Sequence, residues 1–312
     1  MDTFTATFVA RSAYNHLAYV LPAAKQRPSL YAGKAETLLL TLLLDILGVD
    51  PKDIPNRANF MRAVCAFHYI WRCMDEVVDE QFFTTDPITA DDLDQTLVYH
   101  KYLNTITSAQ KGWEVLYQAI PARFFEVAPL IYAYRSAIVR TANDPQYHTG
   151  AVLPFPLALQ LKDEVTGLLG ETGAEIALTL LGNDDYRAVV IYRITGLAIQ
   201  FGDDLSDWRQ DLLDYRRKST NTHRQIRPIE NLFLSTLTEF PPEWEKCENV
   251  LNDRRRSGHA WLTLLAPRAL KEYNLRFLAI QNELPAHPKT PFVKEVLNTA
   301  FFKLLPQVSR NK

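Results

Sequence analysis

The sequence has 312 residues, of which 47% are hydrophobic and 22% charged, with a net charge of −2. That is the balance of a folded globular chain, long enough to bury a sizeable core, and it gives no reason to expect nucleic acid as a partner. The 11 glycines are few for the length, which argues against an all-β fold rich in tight turns and against glycine-rich nucleotide loops.

Apolar residues recur mostly at a spacing of 3.6, and period-2 runs are scarce. The pattern predicts helices over 35–48, 57–83, 90–108, 121–143, 156–182, 185–217, 228–239, 243–282 and 290–305. The N-terminus lacks a basic start followed by a long apolar run. The most apolar stretch, Leu38 to Leu47, is interrupted by Asp45 and is too short to span a bilayer. It is either a cover for the helices or the face of a homodimer. Pro51 and Pro55 precede Asn56, a good N-cap for the second helix. Cys65 and Cys73 lie in that helix and Cys247 far from it; an odd, unclustered set excludes a disulfide framework and most zinc arrangements and fits a reducing compartment. Pro129 sits inside a helical pattern and is expected to kink it. No repeat or linker divides the chain. The expectation is a cytoplasmic protein without stable membrane insertion, folded over 1–312 as a single all-α domain, an antiparallel helical bundle.

Two segments break the ordinary pattern of such a bundle. In Trp71-Arg-Cys-Met-Asp75-Glu-Val-Val-Asp79-Glu80, Asp75 and Asp79 share one helix face. Stepping back from them gives Trp71, Phe67, Val64 and Phe60, an apolar stripe. In Gly196-Leu-Ala-Ile-Gln200-Phe-Gly-Asp203-Asp204-Leu-Ser-Asp207-Trp-Arg-Gln-Asp211, Asp203, Asp207 and Asp211 recur at one-turn intervals, and stepping back gives Ile199, Gly196, Tyr192 and Val189. Each stripe is therefore expected to carry its acids inward, where a carboxylate is costly unless a cation compensates it. A ladder of oxygen donors suits Mg2+, which takes one or two carboxylates and completes its shell with water and substrate phosphate. Asp204 sits to the side of the ladder. One DxxxD pair alone is common on a solvated helix, and Arg209, Arg216 and Arg217 could neutralise the second ladder as a surface network. Two ladders in one all-α chain favour a metal–diphosphate site.

The segment from Ala66 to Glu80 resembles the first aspartate-rich region of squalene/phytoene synthases. The segment Tyr192 to Asp207 resembles the second aspartate-rich motif of trans-prenyl diphosphate synthases, and the register Asp203, Asp207, Asp211 is similar to the metal triad of class I terpene synthases. These families share the class I isoprenoid synthase fold. The resemblance implies a cluster of Mg2+ ions, about three, bound together with diphosphate, and a small-molecule isoprenoid diphosphate as substrate. It implies Asp75, Asp79, Asp203, Asp207 and Asp211 as metal ligands, on two helices facing each other across the mouth of the bundle. Lys162, Arg193, Arg217 and Lys218 are the candidate diphosphate-binding cations. Lys162-Asp-Glu-Val-Thr166-Gly is similar to a lysine-containing helix of prenyl synthases. Phe67, Trp71, Tyr192 and Phe155 are candidate walls for an allylic cation, since aromatic faces stabilise positive charge; as single residues each also fits ordinary core packing.

Chain-elongating synthases usually follow the first motif with two arginines, whereas here Gln81-Phe-Phe-Thr-Thr-Asp86 contains no basic residue. The expectation from sequence is therefore a class I terpene synthase, a lyase that ionises one prenyl diphosphate. The alternative is a prenyltransferase, joining two prenyl chains head to head or serving a small acceptor. A non-catalytic helical protein whose ladders merely bind a cation or a basic partner is the reading from a different class.

Overall fold

In the computed structural model the described residues are 42–50, 52–81, 87–100, 105–147, 151–219, 230–252 and 259–304. They group into two compact units, one comprising Met1–Gln81, Ile88–Val139 and Thr172–Val189 and the other Phe82–Pro87, Arg140–Glu171 and Val190–Lys312. The secondary structure is overwhelmingly helical, as the periodicity predicts.

In the first unit, α1 (42–47) buries Leu42, Leu43, Leu44 and Ile46. It stops at Gly48, whose φ of 67° few side chains tolerate; the Gly48 and Val49 amides donate back to Asp45 and Leu44. The Leu-rich run is thus covered by the chain itself from 42 onward, and 38–41 lies outside the described residues. Helix α2 (Arg57–Gln81) begins at Asn56, which sits at φ 48° and accepts from the Asn59 and Phe60 amides through its carbonyl. Its partners are α3 (Ala90–Gln95), α4 (Ala109–Ala119) and α5 (Phe124–Asn143, assigned here up to Val139). Asp94 of α3 ties these three together: it accepts from Trp113 Nε1 at 3.1 Å and pairs with Arg135. Pro129 lies within α5, so that helix continues through a proline.

The predicted helix 90–108 is not one helix. Its second half is a hairpin of β1 (Val98–His100) and β2 (Thr105–Thr107), with Val98 opposite Thr107 and Tyr99 opposite Ile106. Burial alternates as a pleat requires: Val98 and Thr107 turn inward while Tyr99 and Ile106 are exposed. Tyr69 of α2 and Thr107 share a buried hydrogen bond that anchors the hairpin to the helix. Helix α4, which the pattern does not assign, follows directly. It lies so close to α2 that a Cβ at Gly112 would collide with Ile70 and Tyr69.

In the second unit, α6 (Phe155–Lys162) runs into a π-helical segment, Asp163–Gly167, and then into α7 (Leu168–Leu181, assigned here up to Glu171). The predicted helix 156–182 is therefore continuous but carries one widened turn. Helix α8 (Tyr186–Ser219) is the longest element among the described residues. Beyond Val190, its Phe201, Leu205, Trp208 and Leu212 are fully buried and form the stripe that faces this unit's core. Phe201 and Phe233 both pack on Tyr273, with ring centres 5.0 and 5.4 Å away.

The predicted helix 243–282 is divided into α10 (Pro241–Asn249), α11 (His259–Leu265) and α12 (Pro267–Asn282), after the short α9 (Leu232–Leu237). Pro267 breaks the chain of amide donors, and the new helix start is capped from a distance. The buried Glu243 carboxylate accepts from the Arg268 and Ala269 amides at 3.2 and 2.9 Å. Helix α13 (Thr290–Leu304) closes the described chain. Among the described residues no helix is long and apolar enough to cross a membrane.

Candidate active site

On α2 the stripe through Phe60, Val64 and Phe67 is buried and becomes half-buried at Trp71 and Asp75. Asp75 lies near enough to the buried Tyr134 for its charge to add to desolvation in raising that phenol's pKa. Phe67 meets Tyr134 edge-on, with ring centres 6.1 Å apart. Arg72 stacks on Trp71, its guanidinium 4.3 Å from the ring centre. The first acidic segment therefore does continue the inward stripe as far as Asp75. The Asp79 side chain lies outside the described residues.

On α8 the burial is distributed differently from the sequence expectation. Asp203 and Asp207 are exposed and Asp211 is half-buried, whereas Asp204 is 6% exposed. The ladder runs along the side of α8 away from Phe201, Leu205, Trp208 and Leu212. The inference that these three acids extend the core-facing stripe is thus corrected. The reason is that the first half of α8 is buried on nearly every face, from Ala188 through Ala198, so stepping backwards from any position meets an apolar residue. The ladder stands on an accessible face, and the desolvated carboxylate is its neighbour.

Burial raises Asp204 to about 7, against the opposing pull of Lys162 and the Leu232 amide. Its Oδ1 lies 3.4 Å from Lys162 Nζ, and its Oδ2 accepts from the Leu232 amide at 2.7 Å. Lys162 also stands 3.9 Å from Glu230. The Asn231 amide nitrogen donates to the Asp204 carbonyl and to Asp211 Oδ2, both at 2.7 Å. The Asn231 oxygen caps α9 by accepting from the Leu234 amide at 2.9 Å. Asp211 is pushed up by burial and by Asp207 and Glu230, while Asn231 and Lys162 hold it down. The structure thus brings Lys162, Asp204, Asp211, Glu230 and Asn231 into one network. Of these, Glu230 and Asn231 carry no motif; the one local signal was an asparagine directly before an apolar run, the mark of an N-cap.

Of the other predicted cations, Arg193 falls elsewhere. Arg193 holds Asp163 through two bonds, at 3.0 and 2.7 Å, and pairs with Glu171. These carboxylates raise its pKa further, so it is committed to fastening α8 to the π-helical turn. Arg216 pairs with Glu248 at 3.3 Å, and Arg209 donates to the Leu251 carbonyl. The side chains of Arg217 and Lys218 lie outside the described residues. Tyr192 is buried and its phenol pushed well up by desolvation. The face of Phe155 is covered by Arg276, whose guanidinium is 4.1 Å from the ring centre.

Among the described residues no three His, Cys, Asp or Glu side chains already converge as a metal cage. Mg2+ does not demand one, because it keeps several waters and takes substrate phosphate oxygens beside one or two carboxylates. The donor set of exposed hard oxygens on α8 fits that ion.

No protein-family profile matches the sequence, and no curated protein matches it significantly. The structure is similar to a decaprenyl diphosphate synthase from Rhodobacter capsulatus, at 15% identity and a TM-score of 0.51, covering 95% of this chain and 99% of that one. It is also similar to a geranylgeranyl pyrophosphate synthetase from the archaeon Geoglobus acetivorans, at 16% identity and a TM-score of 0.53, covering 96% and 99%. At such identities the likeness establishes architecture: the chain has the all-α class I isoprenoid synthase fold.

Proposed function

We propose that this chain is a magnesium-dependent prenyltransferase acting on an allylic isoprenoid diphosphate. The carbon–oxygen bond breaks, its electron pair leaves with diphosphate, and the allylic cation alkylates an acceptor that then loses a proton. This raises the reading that sequence alone put second. The observation that carries it is the spacing of Asp203, Asp207 and Asp211 along one accessible helix face in a fold shared with two structures named as prenyl diphosphate synthases.

Asp75, Asp79, Asp203, Asp207 and Asp211 are the proposed metal ligands. Bound Mg2+ would neutralise charge on the leaving diphosphate. Lys162 keeps Asp204 ionisable beside the ladder rather than reaching for substrate, since it already faces Asp204 and Glu230. Arg217 and Lys218 are the proposed diphosphate-binding cations. Phe67, Trp71 and Tyr192 supply apolar surface, which excludes water from a reactive cation.

A specific observation favours the terpene synthase reading: residues 81–86 lack the basic pair that would hold a second diphosphate. Incubation with C10, C15 and C20 allylic diphosphates, with and without isopentenyl diphosphate, separates the two. A product of combined carbon number establishes transfer; a hydrocarbon or alcohol from one substrate establishes the lyase. No Mg2+-dependent release of pyrophosphate from any of them would leave the acidic helices without this function.

A further inference from the structure

The Asn231 side chain is 2% exposed and uses its amide fully. Both Nδ2 donors are spent, on the Asp204 carbonyl and on Asp211 Oδ2, and Oδ1 caps α9. The next residue is pinned as well, because the Leu232 amide donates to the Asp204 carboxylate. Residues 231 and 232 are thereby locked to α8 at two points, on backbone and side chain. Only one of these bonds reaches a side chain of the acidic ladder.

We propose that Asn231 is a positioning residue for metal binding: it clamps Asp211 by one carboxylate oxygen and presents the other as a ligand for Mg2+. The inference rests on the proposed metal–diphosphate function and adds to it a residue from outside both aspartate-rich motifs. An aspartate carboxylate turns about two torsions, and a ligand oxygen is useful only in a narrow range of them. A donor fixed in the core holds it there before the ion arrives. Loss of such a partner behind a metal ligand typically costs about 10- to 100-fold in metal affinity. The requirement is specific to an amide: serine or aspartate at 231 could still cap α9, but neither could donate to both Asp204 and Asp211.

The test is a calorimetric titration of the full chain with Mg2+ in the presence of inorganic pyrophosphate, which needs no turnover. The variants are Asn231→Ser, Asp211→Ala and the double substitution, with thermal melting of each. The expected result is that Asn231→Ser weakens Mg2+ binding about 10-fold or more while still folding cooperatively, its melting temperature lowered because the buried Asp204 carbonyl shares or loses its donor. In the Asp211→Ala background the same change should have no further effect on Mg2+. Wild-type affinity in Asn231→Ser, or an equal loss in the Asp211→Ala background, would overturn the positioning role and leave the proposed function standing. Should Asn231→Ser not fold, Asn231→Thr replaces it, retaining the cap without an amide or an added charge; unimpaired Mg2+ binding there overturns the role equally. Failure of the wild type itself to bind Mg2+ with pyrophosphate removes the function and this inference together.

Discussion

Two glycines three residues apart on α7 should respond to the same substitution with opposite sign. A Cβ on Gly170 would stand 2.8 Å from the Tyr192 carbonyl oxygen and 3.3 Å from its carbon. Both are backbone atoms of α8 and cannot swing aside, so the helices must separate by several tenths of an ångström. Overpacking of this kind costs about 1–3 kcal/mol, against which alanine returns about 1 kcal/mol of helix propensity. The net expectation for Gly170→Ala is a loss of up to about 2 kcal/mol. It should also slacken the Arg193 pairs with Asp163 and Glu171, which begin one residue beyond the contact. A Cβ on Gly173, by contrast, meets only Phe67 Cε1 at 3.5 Å, an ordinary contact. Gly173→Ala should therefore be neutral or stabilise by up to about 1 kcal/mol. Guanidinium unfolding followed by circular dichroism at 222 nm measures both. Equal effects of either sign would refute the close approach of α7 to α8 at Tyr192, because propensity alone treats the two sites alike.

Asp203→Ala and Asp207→Ala should change stability by no more than about 0.5 kcal/mol, since both side chains are exposed. They should also lower Mg2+-dependent pyrophosphate release by at least about 100-fold, beyond the loss typical of a residue behind a ligand; unaltered release in both would remove the ladder from the chemistry. Lys162→Met should cost about 3 kcal/mol, because it strips a buried carboxylate of its cation, and adding Asp204→Asn should recover part of that in the same unfolding assay. Burial lifts the Cys73 and Cys247 thiols from 9.0 to about 12 and the Tyr134, Tyr192 and Tyr273 phenols well above 10. The unfolded chain therefore gives up these protons first. Their contribution to stability is full below about pH 8 and is lost as pH rises toward 12, by about 1.4 kcal/mol per group for each pH unit between its unfolded and folded values. A flat unfolding midpoint between pH 8 and 11 would contradict this.

The helices that sequence locates well are those whose ends are fixed locally. Pro55 and Asn56 mark the start of α2, and Gly48 stops α1 by its own backbone geometry. The misread elements depend on partners far along the chain. Pro129 and Pro267 look alike in sequence, yet α5 continues through the first and the chain breaks at the second. What the second has is Glu243, a buried carboxylate 25 residues away from Arg268 that satisfies the new helix's first amides. The hairpin at 98–107 escapes for another reason. Its strands are three residues each, too short for a period-2 pattern to stand out, and their register is set by Tyr69 of α2 gripping Thr107.

The same division runs through the candidate site. Spacing is a local property, so the sequence puts Asp203, Asp207 and Asp211 on one face correctly. Which face that is depends on what packs against α8, and the apolar residues upstream do not say, because that half of the helix is buried nearly all round. Phe201, Leu205, Trp208 and Leu212 decide it, and they place Asp204 rather than the ladder beside the core. The outcome is chemically coherent. A carboxylate meant to take an ion and a diphosphate from solution must remain reachable, whereas one that ties a neighbouring segment to the helix is stronger out of water. Asp204 has the second task, holding Lys162 and the Leu232 amide. Adjacent aspartates, indistinguishable in a motif, are therefore assigned different work by the stripe they flank, and an exchange of roles would need the whole of α8 to turn by about 100°.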